Sequence, residues 1–521
     1  MGAVVSGVLL TFCFPRWDQG WLAWLALTPL ICAVFFSHND GRRVGLRKAA
    51  LGYVAGLVFF TGTFVWLSTT LAALYENRWL LALAPLVAMV FAFYFAFWTW
   101  FTGAVLVRDE AARKFPRSLG NLGTAAAGAC AWVAHEWVRE RLFGGFGWND
   151  LGVALHRDLP MIQIADITGV PGLSFLVVFC NLMGVIIVRR IIGELGPVFL
   201  KRIRWEFSFT VALVAAVFAY GVRSLLHKDA GESVSLRVVA VQPNIAQTEK
   251  FDPEMEARIF AEIGKLTSLA ALTRPAPQLV LWPESATPRS MFADDVSYNF
   301  VLDQAKALDG ALLLGTTDFD PETREDFNVA ALLTSHGEKQ QFYRKIHLVP
   351  FGEYLPLRPI FAPLCGQMVP ADFTPGREAT VLDLPDPKIR LAALICFEDT
   401  LGELTRRFVQ GGAQVLVNIT NDGWFAQSPA AEQHLANAVF RAIENRRPLL
   451  RCGNTGVTCA VDAHGRVEPW LKPFQQGFVA REVRIPTAAP LTFYTRHGDW
   501  FSHLSILVTG FVLARGLRRR L

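Results

Sequence analysis

The chain has 521 residues, of which 52% are hydrophobic and only 18% charged, against roughly 25% charged in ordinary soluble domains. The formal charge is +5, but the basic residues sit in short clusters between apolar runs, which membrane topology explains better than a nucleic-acid-binding face does. The apolar excess lies in residues 1–222, whereas 233–490 has the mixed composition of a soluble domain.

In chain order, apolar runs occupy about 2–14, 21–36, 49–72, 79–107, 121–138, 170–188, 207–222 and 500–513. Several exceed the roughly 20 residues that cross a ~30 Å hydrocarbon layer, so the sequence predicts an α-helical membrane bundle of about eight spans. The short first and last runs would rely on snorkelling flanks or local thinning of the bilayer. A cleaved leader needs a basic start and a small-residue cleavage site, and neither precedes Phe14-Pro15-Arg16.

The loops alternate in charge. Arg42, Arg43, Arg47 and Lys48 fill one; Arg108, Arg113, Lys114 and Arg117 another; Arg189, Arg190, Lys201, Arg202 and Arg204 a third; and Arg515, Arg518, Arg519 and Arg520 the tail. The intervening loops hold only Arg16, Arg78 and Arg157, with Arg139 and Arg141 at a helix end. The positive-inside rule then places both termini in the cytoplasm. The expected organisation is a membrane domain of seven spans over 1–222, an outward-facing domain over 223–490, and a last span with a basic tail over 491–521.

Past residue 233 the periodicity changes. Ser235–Val241 alternates as a strand, Gln278–Trp282 and Ala311–Gly315 are short apolar strands, and Val329–Thr334 with Gln341–Arg344 reads as a hairpin around Ser335-His336-Gly337. Further strands are expected at Arg390–Ile395, Gln414–Asn418, Pro448–Cys452 and Thr458–Val461. Asp252 with Pro253 opens a helix whose Met255, Ile259, Ile263 and Leu266 share a face, and 432–446 is a second, polar helix. Alternating strands and helices predict a layered α/β domain.

Three motifs carry chemistry: Leu281-Trp282-Pro283-Glu284-Ser285, Tyr343-Arg344-Lys345 running on through His347 to Gly352-Glu353, and Ala393-Leu394-Ile395-Cys396-Phe397-Glu398-Asp399. Singly, each has an ordinary structural reading as a surface carboxylate, a loop lysine or a packed thiol. Together they supply a nucleophile, a base and a cation. A thiol of pKa ~8.5 is barely ionised at neutral pH and needs a neighbouring base.

In this order and at comparable spacings, Glu284, Lys345 and Cys396 resemble the Glu–Lys–Cys set of the nitrilase superfamily. That resemblance implies a four-layer α-β-β-α sandwich. It also implies Cys396 as nucleophile, Glu284 as general base, Lys345 with the Phe397 backbone N–H as oxyanion donors, and Glu353 as the second glutamate that orients the lysine or assists as a base.

With the spans around it, the chain is similar to the apolipoprotein N-acyltransferases. Trp282 through Ala286, His347 through Glu353, Asn421-Asp422-Gly423-Trp424-Phe425, Arg446 through Arg451, Asn454-Thr455-Gly456 and Tyr494 through Trp500 carry the likeness. In the membrane part, Glu136 through Arg139 and Gly145-Phe146-Gly147-Trp148 carry it.

The likeness implies a phospholipid acyl donor and an S-diacylglyceryl-cysteine apolipoprotein acceptor, meeting at a bacterial inner membrane with the catalytic domain in the periplasm. No cofactor and no metal are implied. Substrate contacts are expected at Phe251, Phe397, Glu398, Trp148 and Trp424, and Glu136 and Arg139, as ionisable groups within the membrane part, are lipid-headgroup candidates. Phe251 stands where the family often has Trp and Phe397 where Tyr is common, so an aromatic ring is kept at both.

Two other readings compete. A membrane-tethered amidase or nitrilase would use the same triad with water as acceptor, but would not need the spans. A transporter with an outer domain predicts charges within spans and broken paired helices, of which the sequence has little. His135 beside Glu136 reads as a packed interfacial pair, and His434, Arg441 and Glu444 read as structural. Cys13, Cys32, Cys130 and Cys180 sit in spans as small apolar residues. Cys452 and Cys459 are left either paired or free. There is no zinc-ligand spacing, Walker loop or dinucleotide fingerprint.

Overall fold

A computed structural model describes residues 1–37, 43–106, 117–142, 145–193, 199–227, 231–250, 252–366, 369 and 371–518. Phe251 and the basic loop with Arg108, Arg113 and Lys114 lie outside the described residues. The chain divides into two compact units, one of Met1–Lys228, Ser428–Phe440 and Asp499–Leu521, the other of Asp229–Gln427 and Arg441–Gly498.

In the first unit a helix stands at each of the eight apolar runs. Among the described residues, four helices are long and apolar enough to cross a membrane: Val44–Leu74, Arg78–Leu106, Val170–Ile192 and Trp205–Leu226. Gly2–Phe12 and Gly20–Phe36 are shorter. Arg117–Arg139 is long enough but built of Gly and Ala with Asn121, His135, Glu136 and Arg139, and Trp500–Arg518 is diluted by His503 and Arg515.

Close backbone approach packs this unit. Gly52 and Gly56 of the Val44–Leu74 helix face Phe95 and Ala92, and a Cβ on Gly56 would stand 2.9 Å from the Ala92 Cα. Small residues spaced by four allow that contact between apolar helices, where lipid removes the hydrophobic drive to associate. Buried polar groups are tied between helices: Arg190 Nη1 donates to Glu206 at 2.6 Å, and Asn121 Nδ2 donates to the same carboxylate at 2.7 Å. The Trp205–Leu226 helix has only 6% of its most apolar window buried.

The second unit holds twelve strands: β1 Ser233–Gln242, β2 Leu279–Leu281, β3 Ala311–Asp320, β4 Glu325–Thr334, β5 Lys339–Arg344, β6 Val381–Leu384, β7 Ile389–Ile395, β8 Val415–Thr420, β9 Leu449–Gly453, β10 Thr458–Val461, β11 Val467–Leu471 and β12 Gly477–Pro486. They form two six-stranded sheets, ordered β12-β1-β2-β3-β4-β5 and β11-β10-β9-β8-β7-β6. Each sheet has a parallel centre, β1-β2-β3 in one and β7-β8-β9 in the other, flanked by antiparallel strands.

Alternation along the strands feeds two cores. Val239, Val241, Val280, Leu312 and Leu314 pack with Ile259, Ile263 and Leu266 of the Glu256–Ala271 helix and with Val301 and Ala305 of the Asp295–Ala307 helix. Full burial of each large aliphatic among them stabilises by about 1.5–3 kcal/mol. The opposite face turns toward the second sheet: the Cys452 thiol on β9 donates to the Val241 and Leu281 carbonyls at 3.4 and 3.5 Å. Cys452 and Cys459 are both free.

Candidate active site

The chemistry-bearing side chains of this unit leave from strand ends. In sheets with parallel centres, the carboxyl ends of the strands are where loops converge on a ligand. After β2, Trp282 anchors its indole to Thr267 Oγ1 at 3.0 Å, and Glu284 follows two residues later. Its turn has Ser285 at φ +48°. A Cβ on Gly315 of β3 would stand 2.5 Å from the Glu284 Cα, so only glycine lets β3 pass beside that turn.

Cys396 directly follows β7 and opens a short 3₁₀ turn, Cys396–Thr400. Its φ is +53°, a left-handed conformation that costs a non-glycine residue on the order of 1–3 kcal/mol and marks sites where surrounding structure imposes the turn. Asn418 of β8 imposes it here, donating from Nδ2 to the Cys396 carbonyl at 2.9 Å. Behind it Arg451 pairs with Asp399 and, at 3.1 Å, with Asp422.

Lys345 follows β5, pinned by its own N–H to the Asn328 carbonyl at 2.8 Å. Its ammonium is 1% exposed, 2.8 Å from Glu353 Oε1 and 3.6 Å from Glu284 Oε1. Asn328 Nδ2 donates to both carboxylates, at 2.9 Å to Glu284 and 2.7 Å to Glu353. The second oxygen of Glu284 accepts the Asn421 N–H at 3.0 Å, and that of Glu353 accepts the Val349 N–H at 2.8 Å. Glu284, Lys345 and Glu353 are thus one buried, bonded network, with Lys250 donating to the Glu284 backbone carbonyl at 2.9 Å.

The charges of this network act on the Cys396 thiol. Burial and the nearby Glu284 carboxylate push the thiol well above its ordinary range, outweighing Lys345. It is therefore a thiol at rest and must lose its proton to react, which calls for a base of the kind Glu284 offers. Burial alone would depress Lys345, but Glu353, Glu284, Cys396 and Glu398 together hold it above its ordinary value, so it stays an ammonium. For His347, burial and then Lys345 push the ring down to about 4, leaving it neutral, stacked on Phe397 with centroids 5.7 Å apart.

The other residues singled out from sequence fall in several places. Glu398 is fully buried: Oε1 accepts from the Tyr343 hydroxyl, Ile346 N–H and His347 N–H at 2.7, 2.8 and 3.1 Å, and Oε2 accepts from the Ile395 N–H at 2.9 Å. It ties the Lys345 loop to the end of β7. Trp424 is half-buried in the short helix Asp422–Phe425.

Glu136, Arg139 and Trp148 belong to the first unit. There Glu136 accepts from Trp132 Nε1 and the Leu151 N–H at 2.7 and 2.8 Å, Arg139 pairs with Asp150, and Trp148 Nε1 donates to Gln433 at 2.8 Å. Sequence reasoning missed Asn328, Lys250 and Gly315. A polar residue within an alternating strand, a lysine before a helix and a strand glycine carry no signal of partners distant in sequence.

Residues 6–183 match the apolipoprotein N-acyltransferase N-terminal domain, and residues 237–491 match the carbon-nitrogen hydrolase family. The chain is 35% identical to an apolipoprotein N-acyltransferase of Geobacter metallireducens over 99% of its own length and 95% of that protein's. It is 31% identical to one of Methylococcus capsulatus over 96% and 92%. A solved mutant of a Nesterenkonia AN1 amidase from the nitrilase superfamily aligns at 19% identity over 54% of this chain and 98% of that one, with a TM-score of 0.39. With a relative of that identity matched along nearly its whole length, and with both family domains present in sequence, the chain belongs to the apolipoprotein N-acyltransferase family.

Proposed function

We propose that the protein moves an acyl chain from a membrane phospholipid to the α-amino group of S-diacylglyceryl-cysteine apolipoproteins, through a thioester on Cys396. The observation that carries this reading is the buried Glu284–Lys345–Glu353 network, whose charges bear on a protonated thiol.

Glu284 takes the thiol proton as Cys396 Sγ attacks the sn-1 ester carbonyl. Lys345 stabilises the oxyanion as the tetrahedral intermediate forms. Collapse breaks the ester C–O bond, and Glu284 returns the proton to the departing lysophospholipid oxygen. The acceptor amine then attacks the thioester, Glu284 removes its proton, and Cys396 leaves and is reprotonated. Glu353 and Asn328 hold Lys345 and Glu284 in register throughout.

Residues 1–222 and 491–521 would anchor this chemistry in the bacterial inner membrane, with 223–490 on the periplasmic side. The alternation of basic loops supports that orientation. Both substrates carry acyl chains, so a membrane-held domain meets them where they reside.

The test is intact mass after incubation with phospholipid alone. The protein should gain one fatty-acyl mass, released by neutral hydroxylamine and missing in Cys396→Ala. A diacylglyceryl-cysteine peptide should discharge the adduct and emerge N-acylated. Steady release of free fatty acid with no adduct would instead identify a hydrolase.

A further inference from the structure

One buried cation beside the network has no part in the reaction as described above. Lys250 is 2% exposed and donates from Nζ to the Glu284 backbone carbonyl at 2.9 Å. The segment that delivers it is firmly held. Asn454 accepts the Ile245 N–H at 3.1 Å and donates to its carbonyl at 2.8 Å, and Asn421 Nδ2 donates to Gln247 at 2.8 Å. Asn421 is also the residue whose backbone N–H holds Glu284, so both ends of the contact share one scaffold.

A buried ammonium is costly unless its charge is used. Burial pulls Lys250 down to about 8, while the charges of Glu284 and Cys396 act to keep it protonated. Counting the four groups together, two carboxylates (Glu284 and Glu353) face two ammoniums (Lys345 and Lys250). Without Lys250 the set would be net negative where the reaction must place further negative charge on sulfur and then on oxygen.

We propose that Lys250 is a positioning residue for acyl transfer, fixing the main chain of Glu284 and supplying the second positive charge that the developing anion requires. This rests on the acyltransferase reading. The groups that set the Cys396 titration are Glu284 and Asp422, which raise it, and Lys345 and the Thr420 hydroxyl, which lower it. Cys396 in turn helps keep Lys250 protonated, so the proposal sets Lys250 beside the second pair.

The test compares full-length wild type, Lys250→Met and Lys250→Gln in lipid nanodiscs. Met removes both charge and hydrogen bond, whereas Gln removes the charge and keeps an N–H donor. Single-turnover acylation by phospholipid is read by intact mass, and Cys396 alkylation by iodoacetamide against pH is read by peptide mass.

Acylation of Lys250→Met should slow at least about tenfold with phospholipid KM within about twofold, as expected for charge stabilisation felt mainly in the transition state. Its alkylation midpoint should rise by roughly half a pH unit or more. Lys250→Gln should share that rise while recovering part of the rate. Folded variants with wild-type acylation rate and midpoint would overturn the proposal. So would failure of both to fold, which would make Lys250 a packing residue. Absence of an adduct in wild type would instead sink the acyltransferase reading itself.

Discussion

Replacing Lys345 by methionine keeps most of the stem and removes the ammonium. The structure then leaves Glu284 and Glu353 buried without the Lys345 charge, held by the Asn328 amide they share and by one backbone N–H each, from Asn421 and Val349. Removing one partner of a buried ion pair typically costs about 3–5 kcal/mol, a large share of the roughly 5–15 kcal/mol that holds a domain folded. At roughly 2–4 °C per kcal/mol for a domain of this size, thermal unfolding of the second unit should fall well below wild type.

The chemical loss is separate. Losing one oxyanion donor costs on the order of 10²–10³ in rate, and a full charge should reach at least that range. Lys345→Met/Glu353→Gln separates the two effects. Neutralising Glu353 removes one of the stranded charges, so most of the stability should return while single-turnover acylation stays as slow as in Lys345→Met. Thermal unfolding at fixed lipid content and acyl-enzyme formation by mass provide the two readouts. If turnover returned together with stability, or if folded Lys345→Met acylated within about tenfold of wild type, Lys345 would be a packing residue and the oxyanion role would be refuted.

Glu284→Gln should split thiol reactivity from catalysis. The carboxylate raises the Cys396 pKa, so removing its charge lowers that pKa and shifts iodoacetamide alkylation to lower pH, while acylation collapses for want of a base. Unchanged alkylation with lost acylation would place the thiol outside the field of Glu284. Glu398→Gln offers an amide NH₂ where backbone N–H groups point, leaving a donor unmet at a cost of about 1–3 kcal/mol; unfolding temperature and acylation should drop together, and wild-type behaviour would show that the bonds from Tyr343, Ile346, His347 and Ile395 are dispensable. For topology, Glu232→Cys in a background lacking other reactive thiols should label with an impermeant reagent in intact spheroplasts, and Leu517→Cys only after lysis; the reverse pattern would invert the protein in the membrane.

What sequence makes legible here follows from local physics. Central strands such as β3, β7 and β8 are buried on both faces and read as apolar runs, so they can be found without partners. The edge strand β12 escapes: it carries Arg481, Glu482 and Arg484 and is a strand because ten of its residues pair with β1, a partner far away in the chain. Glu284, Lys345 and Cys396 stand out only together, as an ordered set of carboxylate, lysine and thiol. Their supports do not, since Asn328 acquires meaning only when β4 lies beside the β2 turn. Arg117–Arg139 reads less clearly as a span because Asn121, His135, Glu136 and Arg139 lower its hydropathy, and what meets Asn121, the Glu206 carboxylate, lies on a helix far away in the chain.

The barely buried Trp205–Leu226 helix implies something about the membrane itself. Beyond the bonds that Glu206 and Tyr220 make to neighbouring helices, little of it is covered by protein, so its tilt would answer to the thickness of the hydrocarbon slab. Its 22 residues extend to about 33 Å, close to a typical core, so a thinner bilayer would lean this helix before disturbing the better-buried ones. Acyl-chain length in the surrounding lipid is then the variable that this helix's tilt would follow, and spin labels placed along it in bilayers of graded thickness would read that tilt out.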